Sequence, residues 1–289
     1  MPSILIIGHG YIGSQLGSEL ADAGYRVAAL NRSSEESSKY PILTGDLGDA
    51  ESLARAGENF EGEIDFIVHC ASSGRGGAEA YRTVFVEGVK NLQGIFPEVP
   101  IILTSSSSVY GQTDGSVVTE DSETSPDRET SQLLCEAESL VSDGGGVALR
   151  LAGIYGPGRS VHLKKILEGT ATIESGEVSR FLNQIHRDDA VGAICHVIEN
   201  FSALGDQRIF NVSDDTPVTQ RECYEQLAEF FDLPIPPEAP PDMNRKRAWT
   251  NKIVSNEALR STGWRLIYPS FIGALSSDPN LVPSIREQI

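Results

Sequence analysis

Ile4-Leu5-Ile6-Ile7-Gly8-His9-Gly10-Tyr11-Ile12-Gly13 is the stretch that decides the fold. An apolar strand, Ile4–Gly8, runs into a G-x-G-x-x-G loop, and an amphipathic helix, Ile12–Ala23, opens at the loop's end. A second apolar strand, Val27–Leu30, follows. The glycine pattern alone is common; between a strand and a helix each glycine has a physical task. Gly8 permits the tight turn, Gly10 lets the backbone approach a pyrophosphate, and Gly13 lets the helix pack on the strand. The start of the helix presents N–H groups and a partial positive charge to the phosphates. The expectation is a bound dinucleotide touching Gly8, Gly10, Tyr11, Ile12 and Gly13.

Working outward, the second strand ends where such folds read the adenosine ribose, about 20 positions after the glycines. An acid there selects NAD. This chain carries Asn31-Arg32-Ser33-Ser34 instead, and Arg32 suits a 2′-phosphate, with the serines as further donors. NADP is therefore favoured, and NAD stays open because Glu35 and Glu36 follow shortly after. Gly45-Asp46-Leu47 closes a third strand, Ile42–Thr44. Asp46 has two readings, a partner for the adenine amino group or part of the capping of the helix that starts near Asp49. A fourth strand ends in His69-Cys70-Ala71-Ser72, where small residues let the backbone lie against the nicotinamide half.

Apolar runs and amphipathic segments continue to alternate, as in a parallel sheet covered by helices. Strands are predicted at Phe66–His69, Ile101–Ser105 and Val147–Leu151, and helices at Ala50–Ala56, Glu79–Phe96, Glu129–Ser142 and Ile185–Phe201. The fold class is α/β, a doubly wound parallel sheet. Residues 1–156 read as the dinucleotide-binding domain, and residues 157–289 as a small substrate-binding lobe plus C-terminal elements interleaved with it. A Pro-rich spacer, Pro234–Pro241, precedes the basic run Arg245-Lys246-Arg247, which reads either as a solvated cluster or as a cover for a phosphate.

A formal charge of −18 argues against nucleic acid or an anionic membrane as partner. No run approaches the roughly 18 apolar residues of a membrane span, and no secretory signal opens the chain, so a cytoplasmic protein is expected. Cys70, Cys135, Cys195 and Cys223 are scattered, which suggests buried reduced thiols and neither disulfide nor metal site.

Several ordered motifs resemble the NAD-dependent epimerase/dehydratase group of the extended short-chain dehydrogenase/reductase superfamily. They are the glycine loop, Gly45-Asp46-Leu47, Ser105-Ser106-Ser107-Ser108-Val109-Tyr110-Gly111, Leu149–Gly158, Asn183–Asp189, Phe210–Asp215 and Gly263-Trp264. The resemblance implies a Rossmann domain with a C-terminal substrate lobe, a small-molecule substrate, and a homodimer through the two long helices. It also implies that Ser106 hydrogen-bonds the reacting oxygen, beside a Tyr-x-x-x-Lys pair that moves the proton.

That pair is missing. Alignment of the helix puts Arg128 at the tyrosine position and Gln132 at the lysine position; a shift of two gives Thr130 and Leu134. No tyrosine in the chain is followed four residues later by lysine. The sequence thus looks like the atypical branch of the superfamily. Arg128 stays protonated and cannot replace a phenol, but it can stabilise an alkoxide or hold an anion. Arg150, Arg159 and Arg180 offer further anion positions. Tyr110, His69, His162 and His186 remain as proton-transfer candidates by chemistry, with packing or turn roles as the plainer reading of Tyr110 and His186. Two functions follow from these residues: an oxidoreductase or epimerase acting on a sugar or sugar-nucleotide, or a non-catalytic protein that senses NADP.

Overall fold

The computed structural model describes every residue except 34–36, 38, 75, 177 and 242–248. Seven strands form one sheet: β1 (Ser3–Ile7), β2 (Arg26–Asn31), β3 (Ile42–Thr44), β4 (Phe66–His69), β5 (Ile101–Ser106), β6 (Val147–Leu151) and β7 (Ile209–Val212). Their spatial order is β3-β2-β1-β4-β5-β6-β7. The pairs β2–β3, β1–β2, β1–β4 and β4–β5 are parallel. Strand order reverses between β1 and β4, the switch point outside which such sheets hold their ligands. Residues Ile4–Ile7, Ile67–Val68 and Ile101–Leu103 are almost wholly buried, because helices cover both faces of the sheet.

By contact the chain divides into two compact units. The first comprises residues 1–109, 124–150 and 193–210, and the second residues 110–123, 151–192 and 211–289. Boundaries therefore fall inside β6, inside β7 and inside the helix Arg187–Asn200.

In the first unit α1 (Gly13–Asp22) buries Leu16 and Leu20, and α2 (Ala50–Glu58) is capped by Asp49, whose carboxylate accepts from the N–H groups of Glu51 and Ser52. The helix expected over 79–96 is continuous but not uniform. It runs as α3 (Ala78–Tyr81), a π-helical stretch (Arg82–Glu87) and α4 (Gly88–Ile95). The cause is His69: its Nε2 donates to the Val84 carbonyl at 3.0 Å, and the Gly88 N–H reaches past that carbonyl to Thr83. A side chain has entered the helical ladder. α5 (Glu129–Asp143) buries Leu133, Leu134, Ala137 and Val141 along one face.

The second unit is built from short pieces. Four two-stranded pairs join Phe181–Leu182 to Val218–Thr219, Gln184–His186 to Gly153–Tyr155, Ile173–Glu174 to Glu238–Ala239, and Val117–Val118 to Ile253–Val254. The helices are α6 (Val161–Leu167), α7 (Arg187–Asn200, shared between units), α8 (Gln220–Phe231), α9 (Glu257–Ser261), α10 (Phe271–Ser277) and α11 (Leu281–Arg286). Tyr155, Leu163, Ile173, Tyr224, Leu227, Phe271, Leu281 and Ile285 share its core. The helix expected from Ile185 begins only at Arg187, since Gln184–His186 pair with Gly153–Tyr155 as a strand. Among the described residues no helix is long and apolar enough to cross a membrane. All four cysteines are free; only Cys223 is buried, and the other three are half-buried.

Candidate functional site

The parallel sheet brings the carboxyl ends of β1 to β5 to one edge of the first unit, and most of the sequence-predicted site residues follow those ends directly. The sheet ladder extends into the loops: the Gly8 N–H donates to Leu30 O at 2.8 Å, Cys70 N–H to Ile7 O at 2.8 Å, and Gly45 N–H to Asn31 O at 3.0 Å.

The glycine loop has the geometry its residue types demand. Gly8 has φ of +96°, and a Cβ there would stand 2.6 Å from Ala71 Cα. A Cβ on Gly13 would stand 1.9 Å from the Gly8 carbonyl oxygen. A Cβ on Gly10 would meet nothing within 4 Å. Gly8 and Gly13 are therefore glycines for the protein's own backbone, whereas Gly10 faces open space. The first turn of α1 carries no side-chain cap and no acid. An uncapped helix start behind a bare glycine fits a dinucleotide pyrophosphate. The nearby His9 imidazole is fixed: Nε2 lies 2.9 Å from the Tyr40 hydroxyl, which donates to Ser14 O at 3.2 Å.

Along the same edge Asn31 is half-buried while Arg32 and Ser33 are exposed. Ser34, Glu35 and Glu36, and the basic run Arg245-Lys246-Arg247, lie outside the described residues. Asp46 is exposed and its Oδ1 accepts from Gly48 N–H at 2.9 Å, while Asp49 does the helix capping. Leu47 is buried, and its carbonyl accepts from Asn91 Nδ2 at 2.7 Å. Cys70 and Ala71 follow β4; burial pushes the Cys70 thiol up to about 12, so it stays protonated.

Ser106 ends β5 and is half-buried. Its Oγ accepts from the Ser108 N–H at 3.2 Å. Two contacts fasten the serines around it to α5: Ser105 Oγ donates to Glu138 Oε1 at 2.5 Å, and Ser131 Oγ donates to Ser108 Oγ at 3.2 Å. Sequence reading passed over Glu138 and Ser131, although two polar residues seven apart on an apolar helix face were the available signal. Arg128 is the residue preceding α5, in extended conformation, and is half-buried. Gln132 is exposed and donates to Pro126 O at 3.0 Å. With Arg82, Asp127, Glu129, Leu133 and Glu136 it lines a polar recess of about 440 Å³.

Two of the expected anion-holding arginines are already engaged. Arg150 gives Nε and Nη2 to Glu138 Oε2 at 3.0 and 2.8 Å, with 5% and 3% of the two side chains exposed. Arg180 Nε contacts both Glu174 oxygens, at 2.9 and 3.1 Å. Of the acid–base candidates, His69 is buried, stacked on Phe85, and held neutral by desolvation. His162 Nδ1 meets the Tyr224 hydroxyl at 3.2 Å.

Tyr110 belongs to the second unit and is fully buried. Its phenol faces two acceptors, Thr119 O at 2.9 Å and Asn211 Oδ1 at 2.8 Å, and Asn211 Nδ2 has no partner. The phenol has one proton, so it donates to one of these oxygens; with the Asn211 amide turned over, Nδ2 donates to the phenol and the phenol donates to Thr119 O. His186 is buried against Asp278, 3.1 Å away, and burial lowers its pKa despite Asp188 and Asp278 nearby. Both contacts fit packing and turn roles.

The sequence profile of the NAD dependent epimerase/dehydratase family matches residues 4–213. Protein YeeZ of Escherichia coli K12 is 27% identical over 93% of this chain and 97% of its own length. The human short-chain dehydrogenase/reductase family 42E member 1 is 28% identical over 81% of this chain and 68% of its own. Among solved structures, one assigned to the NAD-dependent epimerase/dehydratases of Methylobacillus flagellatus superposes with a TM-score of 0.77 at 26% identity, covering 99% of both chains. The Thermus thermophilus UDP-glucose 4-epimerase in complex with NAD superposes at 0.81 with 20% identity, over 99% of this chain and 100% of that one, a likeness of fold. With a sheet in Rossmann order, a G-x-G-x-x-G loop between its first strand and helix, and a family profile covering most of its length, the chain belongs to the NAD-dependent epimerase/dehydratase family of the extended short-chain dehydrogenase/reductases.

Proposed function

We propose that the chain is an NAD(P)-binding, epimerase/dehydratase-like oxidoreductase acting on a sugar or sugar-nucleotide. The observation that carries this reading is the contrast within the glycine loop, where Gly8 and Gly13 are filled by the protein's own backbone and Gly10 faces open space. Gly8, Gly10, Tyr11, Ile12 and Gly13 hold the pyrophosphate; Asn31, Arg32, Ser33 and Asp46 serve the adenosine side; Leu47, Cys70 and Ala71 complete the cofactor pocket. NADP is favoured because Arg32, an exposed fork of donors, directly follows β2 where NAD-selective chains place an acid. In this reading residues 1–156 form the bulk of the dinucleotide-binding domain, and residues 157–289 supply the substrate lobe plus C-terminal elements interleaved with it, the strand β7 among them.

When bound, the nicotinamide supplies a site that takes up or gives back a hydride. The chain's own part is to hold the substrate oxygen and manage its charge. Ser106 Oγ already accepts from Ser108 N–H, so its own proton is directed to another acceptor, the reacting oxygen. Arg128 stabilises the alkoxide or holds an anionic substituent. Tyr110 sits two residues beyond that serine run, and its phenol is used by Thr119 and Asn211, so it supports the turn and does not carry the proton.

The missing Tyr-x-x-x-Lys pair favours a second reading, a protein that binds NADP and responds to it without turnover. One experiment separates the two. Binding of NADPH and NADH is measured by calorimetry, and turnover is assayed with UDP-glucose, UDP-galactose and UDP-glucuronate plus NADP⁺ or NAD⁺. Turnover of any of them supports the enzyme. Micromolar NADPH binding with no turnover supports the sensor, and absence of binding rejects both.

A further inference from the structure

Four serines in a row, Ser105–Ser108, run from the end of β5 into the turn that follows, and two of them are tied to α5 through their hydroxyls. Ser105 Oγ donates to Glu138 Oε1 at 2.5 Å, and Ser108 Oγ accepts from Ser131 Oγ at 3.2 Å. Ser131 and Glu138 are seven residues apart on α5, two turns of helix, so they project from one face. That face grips the serine run on both sides of Ser106.

The Glu138 carboxylate has a second task. Its other oxygen takes two hydrogen bonds from Arg150 on β6, at 3.0 and 2.8 Å. Glu138 is 2% exposed and Arg150 4%. The fork of the guanidinium fixes the carboxylate plane, which in turn fixes where Ser105 Oγ can sit. The pair carries no net charge. What it lends is geometry: β5, α5 and β6 are joined at a point one residue from Ser106.

We infer that Glu138, braced by Arg150, and Ser131 are positioning residues for Ser106. They hold the Ser105–Ser108 backbone so that the Ser108 N–H occupies one lone pair of Ser106 Oγ and leaves its proton aimed at the substrate oxygen. This rests on the reading of Ser106 as the group that holds the reacting oxygen.

The test separates positioning from mere packing by replacing the buried pair with apolar residues of similar volume. Such a swap commonly preserves stability, whereas removal of one partner alone leaves an uncompensated charge. The double variant E138M/R150L is compared with S131A, S106A and the wild type. Melting temperature, NADPH Kd, and kcat and KM on the sugar nucleotide that the wild type turns over are measured, with amide exchange of the peptide spanning 101–110. The expected result for E138M/R150L is near wild-type melting and NADPH affinity, kcat lowered at least tenfold, KM changed less than threefold, and faster exchange at 106–109. S131A lowers kcat about threefold. S106A lowers it at least a hundredfold. A stable E138M/R150L with unchanged kcat overturns the inference while S106A still fails, and leaves the reading of Ser106 intact. Unchanged turnover in S106A, or none in the wild type, overturns that reading and the inference with it. Should E138M/R150L not fold, S131A with S131T as its conservative rescue decides: unchanged kcat in S131A rejects the inference.

Discussion

The two units hold themselves together by different means. In the first, the site is a matter of backbone: an edge of parallel strands, glycines where side chains would collide, and one buried carboxylate, Glu138, matched by a guanidinium. In the second, buried carboxylates meet backbone N–H groups and a histidine. Asp189, 1% exposed, accepts from Ile267 and Tyr268 N–H at 2.5 and 3.0 Å, Asp278 from His186, and Asp214 from Thr216 N–H at 3.3 Å. A glycine acts through what it lacks, and its neighbours in sequence reveal its task. Asp189 and Asp278 act on segments 78 to 92 residues away, and nothing local announces it. The difference also sets how each unit responds to change: the first to volume, the second to protons.

Volume is where the largest effect is expected. Gly13→Ala would put a Cβ 1.9 Å from the Gly8 carbonyl. Overpacking of that kind costs about 3 kcal/mol, and NADPH affinity should fall by roughly two orders of magnitude, about 2.7 kcal/mol. Gly10→Ala has free space around its Cβ, so the apoprotein should melt within about 1 °C of wild type while NADPH binding is still lost. Calorimetric titration and thermal melts of both variants check the pair. Retained affinity in Gly10→Ala would mean that no pyrophosphate lies against that residue.

Protons should move the second unit. Burial pushes the Asp214 carboxyl up to about 8 and Asp189 up to about 6, with backbone donors pulling the other way. In the unfolded chain both lie near 4. The folded state therefore holds a proton on Asp214 that the unfolded state has released, and this stability is lost as pH rises through 8. Asp189 adds to the fall only near pH 6.5, where His186, lowered by burial, opposes it because the unfolded imidazole is still partly protonated; toward pH 8.5 the Cys70, Cys195 and Cys223 thiols, which burial pushes up to about 12, add to it. Within that window Asp214 contributes a slope of at most about 1.4 kcal/mol per pH unit. Melting temperature should fall from pH 6.5 to 8.5, and Asp214→Asn should flatten the fall. An equal slope in the variant would place the titration elsewhere.

The same contrast explains what could be read in advance. Five strands of the sheet were legible because strands buried on both faces are plain apolar runs; Phe66–His69 and Val147–Leu151 match to the residue, as does the half-exposed edge strand Ile42–Thr44. The seventh, Ile209–Val212, was not, since four residues with a buried Asn211 carry too little pattern. The expected helix start at Ile185 failed because those residues pair with Gly153–Tyr155, a long-range contact that local periodicity does not contain. Likewise the conformational demands on Gly8 and Gly13 were legible in the loop itself, whereas Arg150 and Arg180 read as anion binders until their partners Glu138 and Glu174 were seen. A charge's role depends on what faces it.

Arg32 tests the legible side at a smaller scale. It is exposed just beyond β2, so its removal should leave the fold untouched. Arg32→Ala should weaken NADPH by about tenfold, or 1.4 kcal/mol, and NADH by less than twofold. Equal losses for both would show that the guanidinium stacks on the adenine and does not read the 2′-phosphate.

The smallest expected effect concerns the helix starts, and it asks whether the units unfold as one body. Each unit has a well-capped helix: Asp49 caps α2 in the first, and Thr219 forms a reciprocal capping box with Glu222 on α8 in the second. Asp49→Ala and Thr219→Ala should each cost about 1 kcal/mol. If stability is partitioned as the contacts divide the chain, amide exchange in Asp49→Ala should quicken in peptides from residues 42–60 and leave 218–232 unchanged, with the reverse for Thr219→Ala. Because β6, β7 and α7 each contain a boundary, their amides report on both units. Uniform quickening of all peptides by either substitution would mean that one cooperative transition spans the chain, and the volume-sensitive and proton-sensitive halves would then share a single melting temperature.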